Sequence, residues 1–226
     1  GGTAAAALES GAGRPLAGGR LAFTAVEILR REGDAVMATV AEAEAMVGGP
    51  ERLERLSAPR ASLCGIPMDR PAIMGVVNVT PDSFSDGGDC ADPTAAIARG
   101  RALCEAGADI IDVGGESTRP GADPVEPEIE LMRVLPVVLA LAADGLAVSI
   151  DSRRASVMAA ALDAGAVLVN DVSALTYDSE SLALVAARAV PVVLMHGGGD
   201  PKTMQDDPHY DCAPLDVFDY LEARVA

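Results

Sequence analysis

One unit recurs from residue 73 onward. A short apolar run rich in β-branched residues stops at polar residues, and a helix-forming stretch follows. The runs lie at 73–77, 109–113, 147–150, 167–169 and 190–195. The helices read at 92–106, 127–142, 154–164, 181–188 and from about residue 215. Runs this short and apolar suit strands buried on both faces, and their alternation with helices predicts a parallel α/β sheet. A (β/α)8 barrel and a doubly wound sheet both fit. No Gly-x-Gly-x-x-Gly opens a helix and no P-loop is present, which counts against a nucleotide-binding doubly wound sheet. In both architectures, ligands bind at the carboxyl ends of the strands.

Those strand ends carry the chemistry. The first run ends in Asn78-Val-Thr-Pro-Asp82-Ser-Phe-Ser-Asp86-Gly-Gly. Pro81 cannot donate to a ladder, and the two glycines free the loop near its end. The second ends in Gly-Gly-Glu116-Ser-Thr118-Arg119-Pro120-Gly, the third in Asp151-Ser152, the fourth in Asn170-Asp171 and the fifth in Met195-His196. Taken singly, Asp151 and Asp171 read as helix caps and Arg119 as a surface charge. Taken together, they converge on one rim, and a functional site is the better reading. A carboxylate beside an amide, Asp151 with Asn170, suits a flat heterocycle with adjacent N–H donors. Thr118 and Arg119 on a glycine-rich loop suit phosphate oxygens. Asn78 offers a hard oxygen suited to Mg²⁺, which keeps waters and substrate phosphates as its other ligands.

Composition narrows the partners. The chain has 226 residues, 50% hydrophobic, with a net charge of −17. That charge argues against nucleic acid and anionic membranes. No apolar run approaches the roughly 20 residues of a membrane helix. Cys64, Cys90, Cys104 and Cys212 form no Cys-x-x-Cys pair, and two histidines are too few for a His-rich metal site. Residues 1–13 lack the basic end and compact apolar block of a signal peptide. Free thiols in a reducing cytoplasm are expected. The chain begins with Gly1, so a natural start upstream is expected as well.

Residues 1–60 read as a small N-terminal extension without assignable chemistry. Residues 1–19, rich in Ala and Gly, are expected to be poorly ordered or the remnant of an upstream segment, and 21–24 to form a short strand. Good helix formers predict a helix over 35–47 that stops at Gly48-Gly49-Pro50, with a further turn or two at 51–56. Residues 65–69 read as a hairpin turn leading into the first strand.

Residues 73–88 closely resemble the first signature of the dihydropteroate synthases, and residues 112–122, Asp-Val-Gly-Gly-Glu-Ser-Thr-Arg-Pro-Gly-Ala, resemble the second. Ser149-Ile-Asp-Ser152, Val169-Asn-Asp171 and Val193-Leu-Met-His196 resemble the next three strand ends. The resemblance implies a partial TIM barrel of the pterin-binding type, about five of eight βα units over 61–226. It implies condensation of a dihydropterin hydroxymethyl diphosphate with para-aminobenzoate, giving dihydropteroate and diphosphate. Sulfonamides would compete with the aminobenzoate. Carried over, Asn78 would assist Mg²⁺ and the diphosphate. Thr118 would bind the diphosphate, with Arg119 beside it. Asp151 and Asn170 would hold the pterin edge, and Met195 would line its pocket. Asp82, Phe84, Ser85 and Asp86 would close over the site, with Asp82, Asp86 and Arg119 in catalytic roles. Phe84 and Pro120 would shape the aminobenzoate pocket.

The family pattern continues with Asp-Pro-Gly, Gly-Phe-Gly-Lys, Ser-Arg-Lys and a terminal Arg-x-His, and none occurs here. The chain is therefore expected to be a fragment, poorly soluble and inactive alone, and a homodimer when complete. A pterin-binding methyltransferase domain and a non-catalytic pterin-binding paralogue are the alternatives. The Thr-Pro-Asp-Ser-Phe-Ser-Asp-Gly-Gly loop followed by Ser-Thr-Arg-Pro-Gly favours the synthase over the methyltransferase.

Overall fold

A computed structural model describes residues 2–33, 35–42, 50–80, 92–117, 124–197 and 209–225. The chain forms two units, Gly1–Ala72 and Ile73–Ala226. Residues 61–72 fall in the first of these units.

The first unit holds helix α1 (Gly2–Glu9), a short pair β1 (Arg14–Pro15) and β2 (Ala22–Phe23), a hairpin β3 (Ala25–Glu32) and β4 (Ala35–Glu42), and helix α2 (Pro50–Ser57). Two expectations change here. Residues 2–9 form a helix where poor order was expected. Residues 35–42 form a strand where a helix was expected. The helix reading weighed Ala, Glu and Met by propensity. The hairpin instead pairs eight residues against eight, from Ala25↔Glu42 to Glu32↔Ala35. That register leaves a two-residue loop opening on Gly33 at φ +63°, a conformation glycine reaches without strain. Val36, Thr39 and Val40 then suit the pleat better than a helix. The turn expected at 65–69 sits slightly earlier: Leu63 bridges Ile66, with Cys64 and Gly65 at positive φ.

The second unit is a parallel five-stranded α/β sheet of five βα units. Its strands are β5 (Met74–Asn78), β6 (Ile110–Gly114), β7 (Val148–Asp151), β8 (Leu168–Asp171) and β9 (Val192–Leu194), side by side in chain order. The helices between and after them are α3 (Pro93–Glu105), α4 (Pro127–Ala143), α5 (Ala155–Asp163), α6 (Ser181–Arg188) and α7 (Ala213–Val225). Asp92 caps α3 by accepting the Thr94 N–H, and Pro93 opens the helix. Pro136 sits inside an unbroken α4 on its exposed side. The N–H it lacks would have met the carbonyl of Met132, a residue that itself faces solvent.

Strand alternation sorts the residues between the two faces. Val77, Ile111, Val113, Val148, Ile150 and Val169 face the helices. There they pack on Val134, Val137, Val138 and Leu141 of α4 and on Val157, Met158 and Ala161 of α5. The opposite face carries Val76 and Asn78, Asp112 and Gly114, Ser149 and Asp151, then Asn170 and Val193. Its polar residues come from the carboxyl halves of the strands.

Candidate active site

Backbone register builds the site. Asn78 pairs with Gly114, Gly114 with Asp151, Asp151 with Asn170, and Asn170 with Val193. In a parallel sheet, residues paired in this way point to the same face. One layer across five strands therefore presents an amide, a gap, a carboxylate, a second amide and an apolar side chain. The place at Gly114 is narrow, with polar groups on both sides. A β-carbon there would lie 3.3 Å from Asp151 Oδ2 and 3.6 Å from Asn78 Oδ1. Met195 follows β9 by one residue and is partly exposed, on the Val193 side of that layer.

Asp151 is not a helix cap. Ser152 Oγ accepts the Arg154 N–H at 3.2 Å, and Asp178 Oδ2 accepts the Ala155 N–H at 2.9 Å. The start of α5 is therefore served without Asp151, whose carboxylate makes no hydrogen bond among the described residues. Burial, followed by the charges of Asp112, Glu130, Asp171 and Glu116, pushes its pKa up to about 7. The neighbouring Asp171 is the reverse case. Its Oδ1 accepts from Ser173 N–H and Oγ, and its Oδ2 from the Leu175 N–H, so it holds the turn after β8. The cap reading is right for Asp171 and wrong for Asp151.

One level below lies Asp112, 3% exposed. Its Oδ2 accepts from Asn170 Nδ2 at 2.9 Å, while its Oδ1 has no hydrogen-bond partner. Burial raises its pKa, against the opposing influence of Ser149 and Asn170. The Ser149 hydroxyl thus lies near enough to favour the charged form yet closes no hydrogen bond of its own. Sequence reasoning placed Asp112 inside a motif but gave it no role.

A buried ionic cluster flanks the layer, and it too escaped the sequence reading. Glu116 Oε2 accepts from Arg153 Nε at 2.8 Å, and Glu116 Oε1 accepts from Arg154 Nη2 at 3.1 Å. Arg154 also donates to the fully buried Glu130 and, at 2.7 Å, to the Val125 carbonyl. The Val125 N–H in turn donates to Glu116. One guanidinium therefore joins residues 116 and 125. Burial pushes the Glu116 carboxyl up, but the two guanidiniums and the Val125 N–H outweigh it and hold the group below its ordinary value. Arg153 lies over the Tyr177 ring, 3.9 Å from its centre. The available signal was Glu130, a carboxylate four residues before Val134 on the buried stripe of an apolar helix.

Asn78, Asp151, Asn170 and Met195 thus gather at one rim. Asp82, Phe84, Ser85, Asp86, Thr118, Arg119 and Pro120 lie outside the described residues. His196 packs edge-on against Tyr220 of α7 and near Tyr210, tying the end of β9 to that helix. Among the described residues there is no group of three His, Cys, Asp or Glu that could hold a metal, and no helix is long and apolar enough to cross a membrane. Cys64, Cys104 and Cys212 take part in no disulfide among the described residues.

A family model described as pterin binding enzyme matches residues 74–226. A dihydropteroate synthase of Neisseria meningitidis is 48% identical over 164 residues, 71% of this chain and 57% of that protein. A solved dihydropteroate synthase from Xanthomonas albilineans with 4-aminobenzoic acid superimposes with TM-score 0.64 at 50% identity, over 71% of this chain and 56% of that one. The Yersinia pestis enzyme in a sulfonamide complex gives TM-score 0.66 at 42% identity, covering 73% and 61%. The chain spans little more than half the length of these relatives. With the parallel sheet, the polar layer at its strand ends and the match over residues 74–226, the chain belongs to the pterin-binding enzyme family.

Proposed function

We propose that the chain serves dihydropteroate synthesis, gripping the dihydropterin diphosphate that condenses with para-aminobenzoate. The observation that carries this reading is the Asp151 carboxylate, without a hydrogen bond among the described residues, in one layer with Asn170 and Asn78. A carboxylate with no protein donor is a strong acceptor for ligand N–H groups. In the reaction the methylene C–O bond to diphosphate breaks, a C–N bond to the aminobenzoate forms, and the amine gives up a proton. The pterin methylene gains positive charge as diphosphate departs. Above about pH 7 the Asp151 carboxylate would place negative charge beside the ring, where little water screens it.

Thr118 and Arg119 hold the diphosphate in this proposal. Asp82, Phe84, Ser85 and Asp86 close over the ring, and Phe84 with Pro120 forms the aminobenzoate pocket, which sulfonamides would also enter. Asn78 Oδ1, beside Gly114 in the layer, suits one position on Mg²⁺, with diphosphate and water as the other ligands. The metal would offset the charge of the leaving diphosphate. Assembly as a homodimer and a cytoplasmic location belong to the same reading.

Calorimetry with a pterin analogue tests the grip. Replacing Asp151 by Asn should weaken binding at least tenfold, since a buried charge-assisted hydrogen bond is worth roughly 1.5–3 kcal/mol. An unchanged affinity would remove Asp151 from the site.

A further inference from the structure

Asp112 is buried one level below the binding layer and accepts a hydrogen bond from the Asn170 amide within that layer. We propose that Asp112 is a positioning residue. It fixes the Asn170 amide so that its carbonyl, and not its NH2, faces the ligand, making the site selective for an edge of hydrogen-bond donors. This rests on the pterin-site reading above and deepens it.

The chemistry follows from the inventory of donors and acceptors. An asparagine can present either end of its amide, and the end that faces a ligand is decided by what the other end meets. Asn170 Nδ2 donates to Asp112 Oδ2 at 2.9 Å. A carboxylate can only accept, so it holds the amino end and turns Asn170 Oδ1 outward. That oxygen makes no hydrogen bond among the described residues. With the Asp151 carboxylate one strand away in register, two adjacent strands then offer acceptors only. A ligand edge of N–H groups matches them, while an edge of carbonyls meets lone pair against lone pair.

Two further features fit this role. Asp112 is buried, and its second oxygen has no hydrogen-bond partner among the described residues. A carboxylate held there costs stability without a full set of bonds in return, which marks a group kept for function more than for folding. Its register neighbour Ser149 also leaves its hydroxyl unpaired. The bond from Asn170 Nδ2 to Asp112 Oδ2 therefore sets the amide.

The test compares two fused-ring probes, pterin and its 2-oxo analogue lumazine, which exchanges an amino donor for a carbonyl acceptor. The wild-type chain should prefer pterin by about tenfold or more, as expected when buried polar groups are left unpaired by the wrong ligand. Asp112→Val, which leaves Asn170 free to turn, should cut that preference to about threefold or less. The exchanged pair Asp112→Asn with Asn170→Asp keeps the total charge. Its new amide donates upward, an acceptor still faces the ligand, and the preference should be retained. Loss of affinity by one common factor for both probes in Asp112→Val would overturn the proposal. So would a folded exchanged pair that has lost its preference. If Asp112→Val fails to fold, the exchanged pair decides alone. A wild-type chain that binds neither probe would sink the pterin reading. The positioning role is then read from the Asn170 side-chain amide protons by NMR. Slow exchange in the wild type, lost in Asp112→Asn, upholds it, and fast exchange in the wild type overturns it.

Discussion

Asp151 carries a pH signature that separates its roles. Its carboxyl titrates near 7 in the fold, against 3.8 ordinarily. As pH rises from about 4, the unfolded chain releases this proton while the native chain keeps it, so native stability falls until about pH 7 and then levels off. Asp151→Asn removes that loss. The variant should gain on the order of 2–4 kcal/mol over the parent near pH 8 and nothing near pH 4, while binding the pterin analogue more weakly. Melting curves at the two pH values check this, and an equal gap at both would show that the carboxyl is not held neutral by its surroundings. For Arg119 the expectation is different: Lys keeps the charge but loses the planar fork, so turnover should fall with little change in melting temperature. Asp151 and Asn170 were legible in the sequence because each ends an apolar run. Asp112 was not, because its position inside a strand looks like any other until the pleat shows which face it occupies.

The end of β6 shows how two adjacent glycines serve different masters. A β-carbon at Gly114 would enter the space between Asp151 and Asn78, while one at Gly115 would lie 2.8 Å from Val134 Cγ1 and 3.1 Å from the Glu130 carbonyl. Gly114→Ala should therefore weaken pterin binding with little effect on stability. Gly115→Ala should cost about 1–3 kcal/mol by crowding α4 against the sheet. Urea unfolding alongside calorimetry separates the two, and a stability loss at Gly114 equal to that at Gly115 would contradict the assignment. Arg154→Met leaves Glu116 and Glu130 buried with less compensation and should cost about 3–5 kcal/mol in the same unfolding experiment. Helices α3 to α7 and strands β5 to β9 were readable within a few residues, because Gly, Pro and Asp punctuate an apolar pattern. The hairpin of β3 and β4 was not. Its Ala- and Glu-rich strands satisfy helix propensity, and only their pairing with one another decides for the strand. The cluster of Glu116, Glu130, Arg153 and Arg154 also stayed hidden, since its members lie up to 38 residues apart and meet only through packing.

Across the whole molecule the charge of −17 opposes the approach of any diphosphate. Added salt shortens the reach of that field to about 10 Å at 0.1 M. The Michaelis constant for the anionic substrate should therefore fall as ionic strength rises from about 0.01 to 0.1 M, before local contacts are screened in turn. Steady-state kinetics over that range would refute the idea if the constant rose from the start. The order of the sheet has a separate consequence. Each strand from β6 to β9 pairs with the strand just before it in the chain, so none of these ladders waits for a distant segment. Each new strand finds its partner already made, and loop closure is confined to one βα unit at a time. A ribosome could thus lay the sheet down like a wall, course upon course, with each addition resting on the last as the chain emerges.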